Sequence, residues 1–133
     1  MLDSRTNWAP QALAILRIVS GYLLIWHGTA KLFGVPHVAM FDNLQLISLM
    51  GLAGIIELVV GALLIVGLFT RYAAFVGSGF AAAAYFIGHA PKGNFFWPML
   101  NSGETAILFC FVFLYLIFAG PGCWSLDGLR DKN

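Results

Sequence analysis

Apolar residues fall into four long blocks separated by short stretches of polar or helix-breaking residues. The blocks run from about Gln11 to Phe33, Ile47 to Phe69, Tyr72 to Gly88 and Leu100 to Ala119. Each is close to the ~17–25 residues that a membrane-spanning helix needs. Gly34 and Pro36 end the first block, and Gly120-Pro121-Gly122 ends the fourth. Pro91, Gly93 and Pro98 separate the third from the fourth, and Thr70-Arg71 is expected to form a tight turn between the second and third. The third block is the shortest and holds Gly77, Ser78, Gly79 and Ala81 to Ala84. Small residues let helices approach closely, so this span is expected inside a bundle.

Composition turns four helical blocks into a membrane protein. Hydrophobic residues make up 60% of the 133 residues and charged residues 10%. A soluble domain carries roughly 25% charged residues, and a chain this poor in charge could not cover a water-facing surface. The reading is a single membrane domain over residues 1–133, an all-α four-helix up-down bundle in contact with lipid. Arg5 alone precedes the first apolar block and no small-x-small site follows it, so it reads as a retained span and not a signal peptide. A net charge of +1 without a basic run gives no basis for a nucleic-acid partner. Cys110 and Cys123 lie roughly 20 Å apart if both are on one helix, and no CxxC pair is present.

Basic residues set the expected orientation. Arg5, Arg71, Arg130 and Lys132 share one side, against Lys92 and Lys31 on the other. The bias places both termini in the cytoplasm of a multi-pass cell-membrane protein, most simply a bacterial inner-membrane one. Gly34 to Leu46 and His89 to Met99 are then the outer loops.

Ionisable residues inside spans are costly on a lipid face and mark functional candidates. Here they are Arg17, His27 and Lys31 in the first span and Glu57 in the second, with His89 ending the third and Glu104 starting the fourth. At ~100° per residue, Arg17, His27 and Lys31 fall within an arc of roughly 80°. Gly21 and Gly28 lie on or beside that stripe, while Gly54, Glu57 and Gly61 form a similar one. Depth favours two pairs, His27 with Glu57 and Lys31 with Glu104, and makes an Arg17–Glu57 pair strained. Arg17 is expected as a snorkelling residue or bundle glue. His27, Lys31, Glu57, Glu104 and His89 are the candidates for a polar pocket displaced toward the outer side. No spacing supports a metal site, and no phosphate loop or nucleophile elbow is present, so the chain has no self-contained catalytic motif.

The runs Leu16-Arg17-Ile18-Val19-Ser20-Gly21 and His27-Gly28-Thr29-Ala30-Lys31-Leu32-Phe33-Gly34 resemble the start of DoxX-family membrane proteins. Similar, in order, are Glu57-Leu58-Val59-Val60-Gly61, Gly67 to Ala74, His89 with Asn94-Phe95-Phe96-Trp97, Gly103-Glu104 and Gly120 to Asp127. The family's signature positions fall on Arg17, His27, Lys31, Glu57, Arg71, His89 and Glu104. The resemblance implies a four-helix membrane fold and an association with respiratory or redox chemistry. Relatives are named for a quinol oxidase subunit, take part in quinone-coupled thiosulfate oxidation, or are accessory proteins of oxidoreductases.

The leading expectation is a small subunit or accessory protein of a quinone-linked oxidoreductase or respiratory system, its polar pocket taking a quinone headgroup. It would work within a membrane complex or as a homo-oligomer. A non-catalytic scaffold docking onto a larger complex is the second reading, and a small-solute or proton carrier the third.

Overall fold

The computed structural model describes residues 7–132; Arg5, counted above in the orientation, lies outside them. The described chain is all-helical. Helix α1 spans Ala9–Phe33, α2 Leu49–Val66, α3 Thr70–Ala84, α4 the single turn Pro98–Asn101, α5 Glu104–Ala119 and α6 Leu126–Arg130. Beyond α3 the chain continues through a π-helical turn, Tyr85–His89, and a 3-10 turn, Ala90–Lys92. Ala9–Phe33, Leu49–Val66 and the run Thr70–Lys92 are long and apolar enough to cross a bilayer. The fourth apolar helix, α5, has 16 residues and is about 24 Å long.

The elements begin and end for local reasons. Pro10 sits in the first turn of α1, where its missing N–H has no helical partner to lose. The Ser48 hydroxyl caps α2 by accepting the Gly51 amide. Gly67, at φ +69°, closes α2 in the left-handed conformation, and Phe69 follows at φ +49°. The turn between the second and third spans is therefore Gly67–Phe69, and Thr70-Arg71, expected to form it, opens α3 instead. The fourth span also starts later than expected, at Glu104. Ser102 at φ +60° breaks the helix there, and the buried Asn101 Oδ1 accepts the Gly103 amide at 2.9 Å. Cys123 lies beyond the end of α5, and it and Cys110 are free thiols.

The four long helices close into a bundle of two intimate pairs. α1 lies along α2 and α3 along α5; α2 joins the pairs by touching α3, while α1 and α5 meet only lightly. Phe113, Leu64, Leu116, Leu24, Val60, Ala73 and Ala74 form the core. Many other large apolar side chains face outward, among them Tyr72, Phe75, Phe111 and Phe118, as lipid-facing positions allow. α3 uses its small residues on one face: Ala73, Ala74, Gly77, Ser78 and Ala81 are buried, whereas Phe75, Val76 and Gly79 are not. The ends of the bundle differ. One carries the Gly67–Phe69 turn and residues 120–132; the other carries the longer connections 34–48 and 85–103.

Candidate functional site

The α1–α2 seam follows a 3.5-residue repeat. On α1 the inward positions are Arg17, Gly21, Leu24, Gly28 and Lys31; on α2 they are Gly54, Glu57, Gly61 and Leu64. Alternating steps of three and four keep one stripe against an antiparallel neighbour. Glycine makes the approach close. A Cβ on Gly28 would lie 2.6 Å from the Leu58 amide nitrogen and 2.8 Å from the Gly54 carbonyl oxygen. Lys31 Cβ lies opposite Gly54, one turn above Glu57.

From there Lys31 leans toward the start of its own helix, as helical side chains do, and reaches Glu57. Its Nζ donates to Oε1 at 2.8 Å and to Oε2 at 2.7 Å. The two side chains keep 8% and 7% of their exposure. The Phe41 ring, from the connection after α1, lies 5.2 Å from the same ammonium and covers it.

The pairs expected from depth do not form. Residue 27 is level with residue 57 in this register, but His27 sits a residue off the seam, about 100° around the helix from Gly28. It is exposed at the thin α1–α5 junction, edge-on to Phe109 with ring centroids 6.2 Å apart. Lys31 gives its ammonium to Glu57 across the glycine seam, and Glu104 is exposed at the first turn of α5. His89 stacks on Tyr85, and its Nδ1 lies 3.1 Å from the Asn101 carbonyl oxygen. Among the described residues, neither Glu104 nor His89 makes a hydrogen bond or ion pair with Lys31 or Glu57. The structure thus brings together Lys31 and Glu57, with His27 one turn away and Phe41 above.

Arg17 is fully buried at the opposite end. Nε donates to Pro121 O at 2.8 Å, Nη1 to Leu64 O at 2.6 Å and Ile65 O at 2.9 Å, and Nη2 to Cys123 O at 3.3 Å and Trp124 O at 2.7 Å. Five donations match the five N–H groups of a guanidinium. They tie α1 to the end of α2 and to the chain leaving α5, where the carbonyl ends of helices favour a cation. Arg71 does the same for α5, donating to Ile117 O at 2.6 Å and Phe118 O at 2.7 Å.

Three residues that sequence reasoning passed over hold the ends. Asp127 accepts the Phe69 and Thr70 amides at 2.8 Å each, capping α3 from a helix 57 residues further on. Burial pushes its carboxyl up, but these amides and the Arg130 charge outweigh that and hold it below the usual carboxylate range. Tyr85 donates to Phe95 O at 2.6 Å, and Asn101 Nδ2 donates to Tyr85 Oη at 3.2 Å. A polar residue inside an apolar block was the available signal for Asn101; nothing local marks Asp127.

The model of the DoxX family matches residues 12–90, more than half of the chain. The chain belongs to the DoxX family. The match contains Arg17, His27, Lys31, Glu57, Arg71 and His89 and stops before Glu104 and α5. An uncharacterized protein of Haemophilus influenzae is 44% identical over 139 residues, covering 99% of this chain and 100% of that one. An uncharacterized membrane protein of Mycobacterium tuberculosis is 25% identical over 145 residues, covering 93% of this chain and 84% of that one. No solved structure matches.

Proposed function

We propose that this DoxX-family membrane protein is a small subunit or accessory protein of a quinone-linked oxidoreductase, and that His27, Lys31 and Glu57 form its quinone-headgroup site. The observation that carries the reading is the pair of Lys31 and Glu57, shut inside a membrane bundle, with an exposed histidine one turn away at its thinnest seam. A lipid-soluble ligand approaching between α1 and α5 meets His27 first, with Phe109 beside it. Imidazole can donate to or accept from a quinone carbonyl, and the carboxylate behind it can take or return a proton. Phe109, stacked on the core residue Phe113 with centroids 5.4 Å apart, offers an apolar wall. These side chains handle protons and not electrons, so an electron-transferring partner subunit belongs to the reading.

In this reading the protein lies in a bacterial cell membrane with both termini in the cytoplasm and the Lys31–Glu57 pair near the outer side. Glu104 and His89 then lie at the outer end of the bundle without touching the pair. Gentle extraction followed by mass spectrometry of co-purifying lipids and proteins is the direct test. A quinone recovered in near-stoichiometric amount supports the site. Stable partner subunits without any quinone-class molecule would favour the scaffold reading instead.

A further inference from the structure

A cleft of about 250 Å³ adjoins Lys31 of the ion pair, one turn along α1 from His27. Ala30 and Lys31 line it from α1, and Val38, Phe41 and Asp42 line it from the following connection. Asp42 is exposed, and its Oδ1 lies 2.7 Å from His37 Nε2 on the same connection. The cleft has room for several water molecules and polar groups to hold them. Lys31 has three N–H groups, of which two positions are taken by the Glu57 oxygens. Lys31 thus both lines the cleft and sits in a nearly dry pair with Glu57.

We infer that the cleft is the aqueous end of a proton route that starts at lipid-facing His27, crosses Glu57 and Lys31, and opens beside Asp42 and His37. The inference rests on the proposed site and gives it a direction. A proton leaving His27 reaches the Glu57 carboxylate through an intervening water, since no direct hydrogen bond joins the two, and neutralises it. Lys31, losing its counter-charge, releases a proton to water in the cleft, where Asp42 and His37 can accept it. The neutral amine then takes the proton held by Glu57, and the ion pair is restored. One proton has crossed, no electron has moved, and both partners are reset. A ligand that gives up hydrogen on the lipid side would thus shed its protons to water on the side of residues 34–48.

Carboxyl labelling of the wild-type protein in lipid nanodiscs tests this without any quinone. A water-soluble carbodiimide with a hydrophilic amine probes the cleft, and dicyclohexylcarbodiimide probes the lipid side; peptide mass spectrometry locates the label, and a Lys31–Glu57 amide cross-link counts as reaction at Glu57 because the amine is 2.7 Å away. Asp42 is the internal control for access from water. Both reagents are expected to label Glu57. Val38→Trp, which fills the cleft, should slow the water-soluble reagent at Glu57 several-fold and leave the lipid-soluble reaction unchanged. Should that variant fold poorly, the wild-type labelling alone decides. Labelling of Glu57 by the lipid-soluble reagent only, or by neither, overturns the route. Quinone binding with a water-silent Glu57 would remove the route and keep the site, and the converse result would do the reverse.

Discussion

Breaking a buried ion pair and replacing it have different consequences. Lys31→Met alone leaves a carboxylate among helices, and Glu57→Gln alone leaves an unpaired ammonium. Each should destabilise the bundle by about 3–5 kcal/mol, read by denaturant unfolding in detergent. The double variant Lys31→Met with Glu57→Leu removes both charges and should lie much nearer wild type. If the double variant is as unstable as the singles, packing and not charge holds that level of the seam. His27 is exposed and makes no hydrogen bond to the pair, so His27→Ala should change stability little while removing the imidazole of the proposed site. At this scale the sequence was half legible. Hydropathy and spacing picked out His27, Lys31 and Glu57 and put 27 and 57 at depths from which they could meet. Pairing depended on which residue faces α2, and that followed from the step between Gly21 and Gly28, not from depth. A lysine stem long enough to span one turn then decided the partner.

Between elements, lipid offers no hydrophobic drive, so close backbone approach and hydrogen bonds carry the packing. Gly28→Leu should push α1 off α2, because its side chain would strike backbone at Leu58 and Gly54, not a movable side chain. Loss of the Lys31–Glu57 contact together with thermal stability, in a circular-dichroism melt, is the expected result. Arg17→Lys should not restore Arg17→Met, since three donors cannot serve five carbonyls. Asp127→Asn should cost about 1 kcal/mol as a weakened cap on α3. Its folded carboxyl titrates below the ordinary value of roughly 3.9, so its contribution is complete above that pH and is lost as pH falls through the folded value. The wild-type acid limb should therefore be steeper than that of Asp127→Asn. The four helical blocks were readable from hydropathy within a few residues. Their junctions were not, because the cap on α3 comes from Asp127 and the start of α5 from Asn101 folding back on Gly103.

For the whole molecule, the family match ends at residue 90, yet the fold does not. Three of Arg17's five acceptors lie at Pro121, Cys123 and Trp124, and Asp127 reaches back to α3. A chain stopped after Ala119 should lose the folded bundle, as judged by a collapsed yield of monodisperse protein in detergent. That knot is distant from His27: one end fastens the helices, and the other holds the Lys31–Glu57 pair of the proposed site. The central claim is that the His27 seam with its buried pair binds a quinone headgroup. Equilibrium binding of a short-chain quinone to the wild type, His27→Ala and the Lys31→Met/Glu57→Leu double variant tests it most directly. Both variants should lose about tenfold or more in affinity at near wild-type folded yield. Unchanged affinity in both, or no binding by the wild type, would contradict it.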